Sequence, residues 1–517
     1  MRPSLLFVPL LLGVASSCAG SAATSVPDAS TAPRDAQVPE GDAGAEAQED
    51  GADAPTEDAS GSDAGADVHA AVPFIQDVLD CGKKGSAGGL AEGKDDSVLS
   101  RHDLDLTVYP DALCNDGTGA VFYYRPAPAG ADDTRWIIQL QGGGNCNNGD
   151  SCAGRWCNVG TAFSLLGMSI TPAPKVGIDG KGILARPASF AKSVASPFRQ
   201  YNQVFVKYCS SDNWIGTHRN AVLEGHHPHT DAAVTYKVHF LGRRILEATL
   251  ATLRREAGTV GSGANTLPDL DDATAVVLAG ASAGGAGTVQ NADYVEGLLR
   301  ASNADLADYR VIIDSAYRPD LEEVGFENSP FCDEAGLCTG AAFLEAGAAE
   351  EASNWGAVRD ESCLEAHAGD AWRCSNETHV MENHITAPFF VRMGLIDSLV
   401  SDPFAAGVLT GPGGATYDLA LFAEMVAAGL RALPAIGGPG GTAEETIAEP
   451  PGAFGPWCPK HETLRSDEDV YEVTIEDPAS ASGAPTTMFE ALARWTSGEA
   501  TAVVSPDEGA SVCPPGD

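Results

Sequence analysis

The sequence predicts an α/β fold in which helices cover both faces of a mostly parallel sheet. Short runs rich in β-branched and aromatic residues recur along the chain, at residues 136–140, 204–208, 275–279, 311–314 and 389–393. These runs are continuous rather than alternating in polarity, as in strands that are buried on both faces. Helical patterns lie between them, at residues 236–258 with Gly258 as C-cap and from Gly284 to about Leu299. Strands that alternate with helices are typical of a parallel sheet.

Residues 1–18 have the pattern of a secretory signal peptide. Arg2 precedes an apolar run from Leu5 to Val14, which is too short to span a membrane. The small residues that follow end at Cys18, in a pattern that resembles the processing site of bacterial lipoproteins. We therefore expect a lipid anchor on Cys18 and a location at the bacterial outer membrane or cell surface, with the anchor as the only contact to the membrane. Ordinary cleavage nearby, which would give a secreted protein, is the alternative.

Residues 19–70 have the composition of a disordered acidic tether. They contain no aromatic residue and no Leu, Ile or Met, and Arg34 is their one Lys or Arg residue. Such a segment cannot bury enough apolar surface to offset the entropy that ordering would cost. An acidic tail that binds a partner is the alternative. We expect the rest of the chain, 71–517, to form a single domain.

The charge balance excludes one class of partner. Lys and Arg total 31 against 72 Asp and Glu, which gives a formal net charge of -41. Binding to nucleic acid needs a basic surface that neutralises phosphates. We therefore expect no nucleic-acid partner.

The first strong strand is followed by a glycine-rich turn. The sequence "LQGGGNC" places Gly142, Gly143 and Gly144 directly after residues 136–140. Glycines allow the backbone to approach a substrate closely, and backbone N–H groups in such a turn can bind a developing oxyanion. A phosphate-binding loop is the rival interpretation, but the Lys-Ser/Thr pair that it needs is absent.

A histidine-rich segment follows the second strand. His226, His227 and His229 lie within four positions and could hold zinc or copper. The segment looks like a surface loop, and no matching carboxylate motif accompanies it. We therefore expect no metal site and no cofactor, and a metal-dependent hydrolase is the less favoured class.

The strand at residues 275–279 leads into a candidate nucleophile. Gly280-Ala281-Ser282-Ala283-Gly284 fits Gly-x-Ser-x-Gly, with a predicted strand before it and a predicted helix after it. This is the context of a nucleophile elbow, in which a sharp turn exposes the serine. The N–H of Ala283 would then join Gly143 and Gly144 as an oxyanion donor. An ordinary Ala/Gly-rich loop is the alternative.

Four motifs together resemble the Notum and pectin acetylesterase family. They are "LCNDGTGAVFYY" (113–124), "LQGGGNC" (140–146), "YCSSDNW" (208–214) and "LAGASAGGAGTVQNADYV" (278–295). The resemblance spans most of residues 110–465. It implies an α/β-hydrolase fold and a carboxylesterase with a Ser-Asp-His triad, so that the domain at 71–517 would be catalytic.

The resemblance assigns the triad to three positions. The family's serine falls on Ser282, its acid on Asp397 in "APFFVRMGLID", and its histidine on His461 in "WCPKH". The order Ser, Asp, His is the one that α/β-hydrolases require. Asp314, at the end of another strand, is the rival acid. The alternatives are a solvated turn for Asp397 and a surface position beside a structural disulfide for His461.

The expected activity is hydrolysis of an O-acyl ester by an exported monomeric enzyme that needs no cofactor. The acyl group would be acetyl or longer, carried by a carbohydrate, a protein or a small molecule. One departure concerns the acyl pocket: where the family has an aromatic residue by its glycine run, this chain has Gly144 and Asn145. The alternative function is a cell-surface binding module that keeps the hydrolase fold with little or no activity.

The cysteines predict disulfides in an oxidising compartment. There are 13, and lipidation of Cys18 would leave an even number. Close spacing favours the pairs Cys332–Cys338 and Cys363–Cys374, and a further pair among Cys146, Cys152 and Cys157. Cys114 and Cys209 lie in motifs of the resembled family and are candidates for another pair.

Residues 401–457 are rich in Gly, Ala and Pro and are a candidate for a variable lid.

Overall fold

The computed structural model describes the following residues: 72–81, 90–94, 98–159, 167–186, 195–254, 267–319, 325–327, 337–400, 409–410, 419–433, 449–477, 480 and 483–513. The predicted signal peptide, Cys18 and the acidic tether lie outside the described residues. So do Gly258, Cys332 and most of the candidate lid.

A ten-stranded sheet forms the centre of the domain. Its strands are β1 (Leu99–Asp103), β2 (Val121–Arg125), β3 (Arg135–Leu140), β4 (Gly177–Ile178), β5 (Asn202–Val206), β6 (Ala275–Ala281), β7 (Asp308–Asp314), β8 (Phe389–Arg392), β9 (Gly452–Gly455) and β10 (Ala502–Val504). The strand order is β10-β9-β8-β7-β6-β3-β5-β2-β1-β4. The pairs from β10 to β5 are parallel, and β2, β1 and β4 extend the sheet with antiparallel pairs. The predicted mostly parallel sheet is confirmed.

Helices cover both faces of this sheet. The helices of the described residues are α1 (Ile75–Val78), α2 (Gly149–Cys157), α3 (Gly242–Leu253), α4 (Ala283–Ser302), α5 (Gly340–Trp355), α6 (Glu361–Ala366), α7 (Glu377–Asn383), α8 (Leu419–Ala432), α9 (Asp467–Glu472) and α10 (Met488–Thr496). Of these, α1 and α2 belong to a separate apolar cluster outside the two layers of the sheet. Every residue of β6 is buried, and its side chains alternate between two apolar layers. Val276 and Leu278 share one layer with Val289 of α4, whereas Val277 shares the other with Leu492 of α10. This is the two-sided burial that the continuous apolar strands indicate.

The predicted helix at residues 236–258 is wrong in its first part. A hairpin of His218–His226 and Ala233–Phe240 occupies this region, and α3 begins only at Gly242. Tyr236, Val238 and Phe240 are buried at alternate positions, which is the period of a strand. The apolar residues of the strand and of the helix follow each other without a break in the sequence, so that the two patterns merge.

Two small three-stranded sheets complete the described strands. One contains Gly325–Glu327, Leu337–Thr339 and Leu409–Thr410, and the other contains Thr474–Ile475, Thr486–Thr487 and Ser511–Val512. Within the segments given above, no helix is both long and apolar enough to cross a membrane.

Disulfides fix the loops around the sheet. The described pairs are Cys81–Cys157, Cys114–Cys209, Cys146–Cys152, Cys363–Cys374 and Cys458–Cys513. They include the predicted pairs at 363–374 and 114–209, and one pair from the group 146, 152 and 157. The predicted pair Cys332–Cys338 falls partly outside the described residues.

Candidate active site

Ser282 lies in a strained turn between β6 and α4. Its backbone has φ 55° and ψ -123°, in a left-handed region that side-chain-bearing residues rarely adopt. The Ser282 N–H donates to the carbonyl of Asp314 over 2.9 Å, which holds the turn against β7. Strain of this kind persists only where the surrounding structure enforces it, and it is concentrated at functional sites.

The two flanking glycines of the motif are required because neither position has room for a side chain. A Cβ at Gly280 would lie 2.1 Å from the carbonyl oxygen of Gly284. A Cβ at Gly284 would lie 2.3 Å from the carbonyl oxygen of Leu140, at the end of β3. Both distances are far below van der Waals contact with backbone atoms that cannot move aside. The spacing Gly-x-Ser-x-Gly is therefore a consequence of how tightly the turn packs against its neighbours.

The structure brings Ser282, His461 and Asp397 together. The Nε2 atom of His461 lies 2.7 Å from Ser282 Oγ, and its Nδ1 atom lies 2.7 Å from Asp397 Oδ2. Asp397 is fully buried, whereas the His461 side chain is 14% exposed. With the Nδ1–H donated to the carboxylate, Nε2 carries a lone pair that accepts the proton of the serine hydroxyl.

The surroundings favour the protonated form of His461. Burial by itself lowers the pKa of this imidazole, but the hydrogen bond and the negative charge of Asp397 act in the opposite direction. The charges of Glu462 and Asp314 add to that effect. The net result is that the pKa of His461 is raised above its ordinary value.

Asp314, the rival acid, contacts the backbone of the histidine loop and not the imidazole. Its Oδ2 accepts the N–H groups of Thr463 and Leu464 at 2.7 and 3.0 Å. Its Oδ1 lies 3.1 Å from Nη1 of Arg392, and both side chains of this pair are fully buried. Asp314 therefore anchors the loop that carries His461.

Arg392 and the Cys458–Cys513 disulfide hold the same loop. The guanidinium of Arg392 donates to the carbonyls of His461 and Lys460 at 2.7 and 3.0 Å. Sequence reasoning did not identify this arginine as part of the site. Its signal is a lone charge within the apolar strand "FFVRM", because a buried charge in a strand needs partners.

The predicted oxyanion donors lie at the expected places in the fold. Ala283 is the first residue of α4, where N–H groups have no partner within the helix. Gly143 and Gly144 follow β3 with φ 138° and φ 63°, which only glycine adopts readily. The buried side chain of Arg155 donates to the Gly143 carbonyl over 2.5 Å. The motif analysis missed Arg155, which reaches this loop from α2.

The segment "YCSSDNW" supports the glycine loop. The indole Nε1 of Trp214 donates to the carbonyl of Gln141 over 3.0 Å, and the Tyr208 N–H donates to the Gln141 side chain over 3.2 Å. Ser211 Oγ accepts from Arg155 Nε over 2.9 Å. Trp214 itself has φ 65°, which is rare for so large a side chain. This motif therefore acts on the site through the loop that would bind the oxyanion.

Glu462 is a third residue, after Arg392 and Arg155, that sequence reasoning did not identify. Its carboxyl lies so close to the glycine loop that a Cβ at Gly142 would come within 2.1 Å of Oε1. Burial raises the pKa of Glu462, against the opposing charge of Arg465. A carboxyl beside both the histidine and the glycine loop adds to the negative field around His461.

The position that departs from the family pattern is polar. Asn145 is exposed, and its Nδ2 donates to Oδ1 of Asn213 over 3.1 Å. Position 145 therefore contributes no aromatic side chain to the glycine loop.

The histidines at 226, 227 and 229 do not converge on one point. His226 Nδ1 lies 3.2 Å from Asp150, whereas the rings of His227 and His229 contact each other with centroids 5.9 Å apart. Among the described residues, a different group, which includes His367, His379 and His384, brings potential metal ligands together.

Comparisons with known proteins identify relatives of this chain. The sequence profile of the family described as pectinacetylesterase matches residues 99–400. Palmitoleoyl-protein carboxylesterase notum2 of Xenopus laevis is 28% identical over 302 residues, which cover 58% of this chain and 52% of the relative. The enzyme of the same description from Homo sapiens, NOTUM, is 25% identical over 363 residues, which cover 70% of this chain and 61% of the relative. The chain thus aligns with about half of the length of the Xenopus relative.

A solved structure shows the same fold. The structure of the Wnt deacylase Notum from Drosophila superposes with a TM-score of 0.55 at 22% identity, over 80% of this chain and 97% of that one. The match supports the α/β-hydrolase-type arrangement of sheet and helices. The family profile spans more than half of the chain and includes both Ser282 and Asp397. The protein is therefore a member of the pectinacetylesterase family.

Proposed function

We propose that the protein is a serine carboxylesterase that hydrolyses an O-acyl ester. The observation that carries this proposal is the continuous hydrogen-bonded chain from Ser282 through His461 to Asp397, with 2.7 Å at each step. Family membership and the strained turn at the serine support it. The three residues are separated widely in sequence, so that their contact requires the whole fold.

The mechanism follows from the geometry. As Ser282 Oγ attacks the ester carbonyl, its proton passes to Nε2 of His461. Asp397 keeps the imidazole in the tautomer that can accept this proton and stabilises the imidazolium that forms. The N–H groups of Gly143, Gly144 and Ala283 would bind the oxyanion. His461 then protonates the leaving alcohol, and a water molecule activated by the same imidazole releases the acid. None of these steps requires a cofactor.

The substrate class is bounded by the family and its relatives. The family is described as pectinacetylesterase, and the animal relatives are described as palmitoleoyl-protein carboxylesterases. These descriptions range from a short acetyl group to a long unsaturated acyl chain. The polar residue Asn145 beside the glycine loop favours the short end of this range, because a long acyl chain needs an apolar pocket.

A chain-length series of p-nitrophenyl esters tests this function. We expect turnover of the acetate ester and a loss of about 10³-fold or more in Ser282→Ala, because triad members act as a unit. Ser302→Ala, at the other end of the same helix α4, is the matched control and should keep full activity. Undiminished turnover by a folded Ser282→Ala variant would contradict the proposal. A preference for long esters would contradict the argument from Asn145 alone.

We further propose that the protein is exported. The five disulfides among the described residues support an oxidising compartment. The pattern at residues 1–18 supports a lipid anchor on Cys18. The tether at 19–70 would then separate the catalytic domain from the membrane surface.

A further inference from the structure

A cluster of three histidines lies outside the triad. His367 follows the end of α6, His379 lies on α7, and His384 follows the end of α7. Their ring centroids are 4.9 to 5.7 Å apart. The Nε2 atoms of His367 and His379 are separated by 3.0 Å. The potential ligand atoms of these residues and of Cys363 all lie within 4.8 Å of one another.

The hydrogen bonds of His367 and His384 assign the proton of each imidazole to Nδ1, so that Nε2 carries a lone pair that faces the cluster. Nδ1 of His367 lies 3.1 Å from the carboxylate of Asp370, which can only accept, so that Nδ1 carries the proton and Nε2 does not. A histidine that donates one nitrogen to a carboxylate while the other binds an ion is the usual arrangement around protein-bound metals.

His384 is held by a longer relay of the same kind. Its Nδ1 lies 3.2 Å from Ser362 Oγ, and that hydroxyl donates to Asp360 Oδ1 over 2.7 Å. The hydroxyl proton is therefore engaged, and Ser362 accepts the Nδ1–H of His384. This assigns the lone pair of His384 to Nε2.

The Nε2 atom of His384 is buried without a hydrogen-bond partner among the described residues. The whole residue is only 8% exposed. A buried polar atom without a partner costs free energy, and native proteins rarely keep one without a reason. A ligand that this nitrogen could bind would remove that cost.

We propose that His367, His379 and His384 bind a divalent transition-metal ion of the Zn²⁺ class through their Nε2 atoms. Imidazole nitrogens are ordinary ligands of such ions. Two nitrogens at 2.0–2.1 Å from a tetrahedral ion stand about 3.3 Å apart, close to the observed separation of His367 and His379. Cys363 supplies no thiolate, because its sulfur is bonded to Cys374. The fourth position of the ion is therefore left to water.

The cluster connects segments that pack on the helix of the nucleophile. The Gln290 side chain, on α4, donates to the carbonyl of Cys374 over 2.7 Å and accepts the N–H of Asp360 over 3.0 Å. A bound ion would cross-link the end of α6 to α7 next to this contact. The role that follows is to stabilise the packing against α4, since no ligand of the ion belongs to the triad.

Titration of the full-length protein with Co²⁺ and Zn²⁺, after dialysis against a chelator, tests the site. We expect one equivalent of Co²⁺ to give the visible absorption of a tetrahedral complex, and Zn²⁺ to displace it. Zn²⁺ should also raise the midpoint of thermal unfolding, because an ion that binds only the folded state stabilises it.

Two variants and one control assign the binding to these histidines. His379→Ala removes a partly exposed ligand and is expected to fold, and His384→Gln removes the buried one. Both should lose the absorption and the thermal shift. The control is the double variant His227→Ala/His229→Ala, which should keep both. Absence of stoichiometric binding in the wild type would overturn the proposal. So would binding that survives in His379→Ala or disappears in the control.

Discussion

Replacement of Asp397 by Asn tests whether this residue orients the imidazole of His461, because the change should reduce activity while leaving the fold intact. In the native protein Asp397 Oδ2 accepts from Nδ1 of His461, and Oδ1 accepts the N–H of Leu399 over 3.1 Å. An asparagine has one acceptor oxygen and one amide group for these two places. If the oxygen stays with Leu399, the amide donates to Nδ1, which moves the imidazole proton to Nε2. His461 can then no longer accept the proton of Ser282.

The expected loss is about 10⁴-fold in kcat, the size found when a triad acid becomes an amide, and it corresponds to about 5.5 kcal/mol. Stability should change far less, because the side chain keeps its volume and both neighbours keep a hydrogen bond.

The matched comparison is Asp314→Asn. Both oxygens of Asp314 are engaged, and its partner Arg392 is fully buried. Loss of the negative charge leaves a buried cation without its counterion, which costs about 3–5 kcal/mol. This variant should therefore unfold at a lower temperature or denaturant concentration but keep most of its turnover while folded.

Initial rates on a p-nitrophenyl ester and denaturant unfolding, measured on both variants, give the two quantities. The reverse result would refute the assignment of roles. In that case Asp397→Asn would keep its turnover, and Asp314→Asn would lose turnover without loss of stability.

Three further predictions concern the proton acceptor, the glycine loop and the anchor. Because the pKa of His461 is raised, kcat/KM should rise with pH through a single ionisation above the ordinary value of about 6.5 and then level off; a profile that is flat across this range would show that His461 is not the base. Arg155→Met should lower kcat by less than the about 10²- to 10³-fold cost of deleting one oxyanion donor, with KM little changed, because it removes the hydrogen bonds to the Gly143 carbonyl and to Ser211 Oγ but no oxyanion donor. Arg300→Met, at an exposed position, is the control, and equal rates in both variants would show that Arg155 does not support the oxyanion loop. Cys18→Ala should move the protein from the membrane fraction to the soluble fraction, and unchanged fractionation would exclude the lipid anchor.

The nucleophile turn was open to prediction because its constraints fix five consecutive residues, although the carbonyl that excludes a side chain at Gly284 belongs to the distant Leu140. Gly280 and Gly284 are dictated by backbone atoms within or beside the turn, and the strand before them is continuously apolar. The strands could be predicted for the same reason, since two-sided burial leaves an unbroken apolar run. Constraints that fix several consecutive residues can therefore be recognised from the sequence alone.

The supporting residues could not be predicted because their partners are distant in sequence. Arg392 reaches a loop 69 residues later, and the Asp314 carboxylate reaches one 149 residues later. The histidine cluster shows the same limit. His367, His379 and His384 lie on or directly after two helices and form no short motif, whereas the adjacent histidines at 226, 227 and 229 suggested a site that the fold does not assemble.

Labelling with a fluorophosphonate, followed by peptide mapping, tests the central claim most directly. Such a reagent reacts with a serine that a neighbouring base activates, and the contacts of Ser282 make it the serine expected to react. We predict one label per chain, located on Ser282, with esterase activity lost in proportion to labelling and labelling abolished in His461→Ala. A label on another serine, or full activity in completely labelled protein, would contradict the proposed mechanism.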